Sequence, residues 1–174
     1  MKKILFKGCG TAIVTPFKGE NVNITEFKRL LEYQIQNKAD SVIVCGTTGE
    51  SATLTKDEKT SLIKCAIETC KNKIPVIVGT GSNNAKSAIE QSMLAEKLGA
   101  NGLLIVTPYY NKCTQEGLIQ YYSNIASSVK IPIIMYNVPS RTGVNIEPQT
   151  CFELSKISNI VAIKEASRKP FSNS

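Results

Sequence analysis

The chain has 174 residues, 42% of them hydrophobic, carries a formal charge of +7 and contains no histidine. That length and apolar content predict one globular domain with a real core, and the missing histidine excludes Ser-His and Cys-His nucleophile pairs and mixed Cys/His zinc sites. The positive charge is spread over nearly every helical segment, includes only three arginines (Arg29, Arg141, Arg168) and is not interleaved with aromatics, so it does not read as a nucleic-acid surface.

The opening apolar run ends at Lys7 and Gly8, too short for a signal-peptide core, and no later stretch approaches membrane-spanning length; a cytoplasmic protein with no membrane partner is expected. Short β-rich apolar runs then recur about every thirty residues, at 11–15, 41–45, 75–79, 102–106, 132–136 and 160–164. The segments between them have helical spacing. Ile24, Phe27, Leu30, Leu31 and Ile35 form the first apolar stripe, opened by Thr25 with Glu26; Leu62, Ile63, Ala66 and Ile67 form the next, opened by Thr55 with Asp57 and Glu58. Gly99 and Asn101 mark the end of a third helix, and Thr114 with Glu116 the start of a fourth; hydroxyls there cap free amides and acids favour the helix dipole. The six cysteines have no C-x-x-C spacing and read as reduced, structural thiols.

Strands apolar on both faces, alternating with helices, predict a parallel sheet covered by helices. A closed barrel and an open doubly wound sheet both satisfy that pattern. The open sheet wants a phosphate-binding fingerprint after its first strand, but Gly8-Cys9-Gly10 precedes that strand and Gly79-Thr80-Gly81 lacks the third glycine. The expectation is therefore an α/β fold of the (β/α)8 TIM-barrel class. A complete barrel takes about 250 residues, so this chain reads as one truncated to about six strands and five helices: a partial barrel catalytic domain over 1–167, then an irregular tail over 168–174 with neither alternation nor periodicity.

In parallel barrels the site lies at the carboxyl ends of the strands. The second run is followed by Gly46-Thr47-Thr48-Gly49-Glu50-Ser51, which reads either as a capped turn or as a cradle whose Thr47 and Thr48 amides and hydroxyls hold a carboxylate. Tyr109 and Tyr110 follow the fourth run and Tyr136 ends the fifth, either as packing aromatics or as site residues. Arg141 is either a surface residue or a planar fork for a carboxylate. Lys164 ends the sixth run. It either snorkels to the surface or, sharing one strand face with Ile160 and Ala162, points into the barrel mouth, where partial burial favours the neutral amine that attacks a ketone.

Together these segments resemble the dihydrodipicolinate synthase and N-acetylneuraminate lyase superfamily of class I aldolase-type barrels, from about Gly10 to Ala166. Gly-Thr-Thr-Gly-Glu-Ser at 46–51, Pro-Tyr-Tyr-Asn at 108–111, Tyr-Asn-Val-Pro-Ser-Arg-Thr-Gly at 136–143 and Ile-Lys-Glu-Ala-Ser at 163–167 look like its synthase branch. The resemblance implies a lyase that condenses pyruvate with aspartate 4-semialdehyde on the route to diaminopimelate and lysine, with no metal or organic cofactor. By that match Lys164 forms the Schiff base. Tyr136 relays protons with the Thr47 hydroxyl and with Tyr110 from a neighbouring subunit, Thr47 and Thr48 hold the pyruvate carboxylate, and Arg141 holds the carboxylate of the semialdehyde. It also implies a homo-oligomer, a dimer or a tetramer. Sugar-acid lyases of the superfamily are the alternative, as is an inactive truncated fragment. Lysine-regulated relatives bind their effector near 51–59 and 83–87; here Lys56, Lys59 and Ser87 replace attraction by repulsion, so weak or absent inhibition by lysine is expected.

Overall fold

The computed structural model describes residues 4–167; the irregular tail expected over 168–174 lies outside them. In chain order the elements are β1 (Gly10–Ala12), β2 (Phe17–Lys18), β3 (Asn21–Val22), α1 (Ile24–Gln36), β4 (Ser41–Val44), α2 (Lys56–Cys70), β5 (Val76–Gly79), α3 (Ala85–Leu98), β6 (Gly102–Val106), α4 (Gln115–Ser128), β7 (Ile133–Asn137), α5 (Pro139–Thr142), α6 (Pro148–Ser155) and β8 (Ile160–Glu165). Six strands form one parallel sheet in the order β1-β4-β5-β6-β7-β8. The order never reverses. A doubly wound sheet needs such a reversal to place helices on both faces, so the topology settles the choice left open by the strand pattern in favour of a singly wound, barrel-type half.

Side-chain alternation sorts the sheet into two faces. Val42 and Val44, Val76 and Val78, Leu103 and Ile105, and Ile133 and Met135 enter one large core with the helices, including Phe27, Leu31, Leu62, Leu118 and Ile125. Ile77, Leu104, Tyr136 and, partly buried, Ile43 and Ile134 point to the opposite, concave face, where no helix residue joins them. All the crossover helices thus cover one side, as right-handed connections in a singly wound sheet require. Each fully buried aliphatic or Phe side chain in the helix-side core contributes about 1.5–3 kcal/mol relative to exposure.

The helices start and stop where local chemistry dictates. Thr55 and Glu58 form a reciprocal capping box on α2, with Thr55 N donating to Glu58 Oε2 at 2.8 Å and Glu58 N to Thr55 Oγ1 at 3.3 Å. Thr114 accepts from Gly117 N at 3.1 Å at the start of α4, and α3 ends at Gly99 with φ of 100°. Asn101 turns back to accept the Val76 amide at 2.8 Å.

Several expectations are corrected. The cap of α1 is Asn23, whose Oδ1 accepts from Glu26 N at 3.1 Å, and Thr25 lies inside the helix. The first strand is Gly10–Ala12, not 11–15, because beyond Ile13, whose amide still donates to Ile43 O at 3.1 Å, the chain leaves the sheet. It then folds into the β2–β3 hairpin, which the strand pattern did not reveal. The short helix α5 was likewise not expected; Pro139 opens it and Gly143 closes it at φ 69°. Finally, Ile160 does not share a face with Ala162 and Lys164. The pairing shifts between Ile133↔Ile160 and Ile134↔Ala162, a bulge that reverses the alternation. Ile160 therefore enters the helix-side core, while Ala162 and Lys164 pair with the concave-face residues Ile134 and Tyr136.

Candidate active site

The carboxyl ends of β4 to β8 carry the polar residues, and each loop there is held by specific bonds. After β4 the chain turns sharply at Cys45, whose φ is 54°. The following loop is fixed by Thr15 Oγ1 donating to Gly49 O at 2.7 Å in a buried contact, by Ser51 N to Gly46 O at 3.4 Å and by Glu50 N to Thr47 O at 3.1 Å. Thr47 and Thr48 are exposed on it. Next to it, Gly79 ends β5 so close to β4 that a Cβ there would lie 2.3 Å from the Cys45 carbonyl oxygen. Only glycine allows that approach.

Two tyrosines of α4 brace the loop after β5 and strand β6 from the helix side. Tyr121 donates to Ser82 O at 2.8 Å and accepts from Ser82 N at 3.1 Å, and Tyr122, fully buried, donates to Ile105 O at 2.8 Å. Burial raises both phenols above their ordinary values, so both stay neutral donors. Asn111 Nδ2 donates to Asn83 O at 3.0 Å and links the loop after β6 to that after β5.

Thr47, Tyr109 and Arg141 line one cleft of about 480 Å³, together with Glu50, Lys59 and Thr142. Lys164 lines a second, apolar groove of about 510 Å³ on the concave face, with Ile43, Ile77, Leu104 and Ile134. The two are joined across the sheet by the row Val106↔Tyr136↔Lys164, since Val106 also lines the first cleft. Tyr136 is buried at 7% exposure, and Lys164 Nζ lies 4.5 Å from its ring centroid.

Other expected site residues are placed differently. The partial burial expected of Lys164 is not found: it is exposed, on a strand with no partner on its far side among the described residues. Thr48 lines neither cavity. Tyr110 is turned outward, 92% exposed with φ of 69°, so it does not reach the other site residues of its own chain.

The sequence reading missed a polar network behind the row Val106, Tyr136 and Lys164. Asn137, 1% exposed, donates through Nδ2 to Glu165 Oε2 at 2.9 Å and to Asn145 Oδ1 at 2.9 Å, and accepts from Ile146 N at 3.0 Å. Glu165 accepts from Ser167 N at 2.7 Å, and Ala166 N donates to Asn137 O at 2.9 Å. Burial pushes the Glu165 carboxyl up, but hydrogen bonds from Asn137, Ser167 and Ala166 outweigh it and hold the group below its ordinary value. The usable signal was positional: Asn137 and Glu165 directly follow the two candidate site residues Tyr136 and Lys164, on the opposite face.

Comparison with known proteins bears on this arrangement. The model of the Dihydrodipicolinate synthetase family matches residues 5–172. The 4-hydroxy-tetrahydrodipicolinate synthase 1 of Clostridium acetobutylicum is 52% identical over 163 residues, covering 94% of this chain and 56% of that protein. The corresponding synthase of Alkaliphilus oremlandii is 51% identical over 162 residues, covering 93% and 56%. Among solved structures, a dihydrodipicolinate synthase from Thermotoga maritima superposes with a TM-score of 0.93 at 48% identity, over 95% of this chain and 57% of that one. A chloride-inhibited synthase from Acinetobacter baumannii, complexed with pyruvate, superposes with a TM-score of 0.90 at 46% identity, over 92% and 55%. The chain spans a little over half the length of these relatives.

Proposed function

The chain belongs to the dihydrodipicolinate synthetase family, and from that premise we propose that it acts in the condensation of pyruvate with aspartate 4-semialdehyde through a Schiff base on Lys164. The observation that carries the reading is the pairing of Lys164 with Tyr136, amine over ring at 4.5 Å, at the carboxyl end of a parallel sheet. An amine beside a phenol is the minimum machinery for imine chemistry, since a proton must move at each carbon–nitrogen bond made or broken.

In this reading Lys164 Nζ attacks the ketone carbon of pyruvate and water leaves. A methyl proton is lost to give the enamine, whose carbon bonds to the aldehyde carbon of the second substrate. That substrate's amine then attacks the imine carbon, releases Lys164 and closes the ring of 4-hydroxy-tetrahydrodipicolinate. Tyr136 moves the protons, assisted by the Thr47 hydroxyl. Thr47 and Thr48 hold the pyruvate carboxylate through their hydroxyls and backbone amides. Arg141 holds the carboxylate of the semialdehyde at the mouth of the cleft that it shares with Thr47. Tyr110, exposed on a strained turn, serves the site of a second copy, so the working form is a homo-oligomer. Among the described residues no helix is long and apolar enough to cross a membrane.

Reduction with borohydride in the presence of pyruvate tests the first step, because it fixes a lysine imine as a stable adduct. Peptide mapping should place that adduct on Lys164. A folded chain that gives none, or gives it on another lysine, overturns the reading. Supplying the semialdehyde and, separately, a polyhydroxylated sugar aldehyde then separates the synthase from sugar-acid lyases.

A further inference from the structure

β8 pairs with β7 and with no other strand among the described residues, and Ile160 at its start is anchored in the helix-side core. At its carboxyl end Asn137 and Glu165 are register partners, one step beyond Tyr136 and Lys164. By alternation the first pair lies on the face opposite the second. The Asn137 carboxamide is saturated: its two N–H groups meet the Glu165 carboxylate and Asn145 Oδ1, and its oxygen meets the Ile146 amide. Asn145 O in turn accepts from Gln115 Nε2 at 2.9 Å, and Gln115 Oε1 accepts from Thr150 Oγ1 at 2.6 Å. A single buried side chain therefore ties the strand that carries Lys164 to the segment that follows Arg141 and to helices α4 and α6.

We propose that Asn137 and Glu165 are positioning residues for the Schiff-base step, forming a clamp that fixes the Lys164 backbone against Tyr136 and couples it to the segment that follows α5, the helix that carries Arg141. The assignment rests on the function proposed above. Neither residue faces the substrate; they act by holding geometry, and a displacement of about 1 Å in a reacting group costs on the order of a hundredfold in rate. Charge makes the clamp stronger than a neutral amide pair, because a carboxylate accepts at both oxygens.

The test compares the full chain with N137A, E165Q and the double variant N137D/E165Q, in which donor and acceptor change places. Hydrogen exchange reads the clamp without reference to catalysis. The amides of Ile146 and Ser167 should exchange about tenfold faster in either single variant, with those of β4 and β5 unchanged, and recover in the double. Reductive trapping of pyruvate reads the consequence: the maximal rate should fall about tenfold or more, with half-saturation by pyruvate little altered, and the double variant should regain most of the loss. Unchanged exchange in the single variants overturns the clamp. Faster exchange with an unaltered trapping rate overturns the positioning role and leaves a structural one. If the unsubstituted chain traps no pyruvate, the proposed function falls, while the exchange data still decide whether the clamp exists.

Discussion

Replacing Gly79 by alanine tests how the strand ends are brought together. The new methyl would meet Cys45 O at 2.3 Å, Cys45 C at 2.8 Å and Gly46 Cα at 3.0 Å. The first contact is roughly 1 Å short of ordinary van der Waals separation, and all three obstacles are backbone, so no side-chain rotation relieves them. Overpacking of this kind costs about 1–3 kcal/mol, against which alanine returns about 0.4–1 kcal/mol by narrowing the unfolded ensemble. With rigid neighbours the net loss should be about 2 kcal/mol, roughly thirtyfold in the folded-to-unfolded ratio, or about 4–8 °C in Tm for a domain of this size. Gly46→Ala is the control, since its nearest neighbour is Ile43 Cγ2 at 3.7 Å, an ordinary contact; it should leave stability within about 0.5 kcal/mol of the parent or raise it slightly. Urea unfolding followed by circular dichroism measures both. A Gly79→Ala chain as stable as the parent, or equal losses in the two variants, would refute the packing argument.

Cysteine reactivity follows burial, because the thiolate is the nucleophile. Burial pushes Cys45 and Cys70 up to about 11, while Cys9 is exposed; iodoacetamide at about pH 8 should label Cys9 first and leave Cys45 and Cys70 untouched until the chain unfolds, as peptide mapping would show. The depressed Glu165 carboxyl contributes stability that is present above its ordinary value of 4.5 and is lost as pH falls through its lower folded value. E165Q should accordingly be less stable than the parent at neutral pH, with the gap closing in acid; a pH-independent gap would mean that the charge is not what matters. Free lysine should slow pyruvate trapping weakly or not at all, because Lys56 and Lys59 line the cavity beside α2 and outweigh the Glu90 carboxylate there, so that a cation is repelled. Inhibition at low lysine concentration would contradict this.

The sheet was readable from sequence because its strands are nearly continuous β-branched runs, and the observed bounds of β4, β5, β6 and β7 fall within a residue or so of the apolar segments. Strand order was not readable. Periodicity reports which residues are buried, not which strands are adjacent; the pattern itself favoured the barrel only through a missing phosphate fingerprint, and the family resemblance supplied the rest. The hairpin of β2 and β3 escaped notice because its strands are two residues each, below the length at which alternation means anything. At the site, Lys164 and Tyr136 were legible as strand ends, and Arg141 and Thr47 as loop residues that now line one cleft. The bulge opposite Ile133 and Ile134 was not, since one extra residue on one strand leaves no mark in composition. The Asn137–Glu165 contact depends on that register across 28 positions, which no local pattern encodes.

A sheet whose strand order repeats its chain order also says something about how the molecule is made. Each strand lies beside the one translated just before it, with about thirty residues between them, so the loop closed at each step is short and its entropy cost nearly constant. At about 5–20 residues per second, a ribosome delivers one such unit every few seconds, long after a helix or a strand contact can form. The free edge left by each unit is the template for the next to emerge. Among the described strands, growth from β1 outward lets each new strand pair with the neighbour delivered just before it.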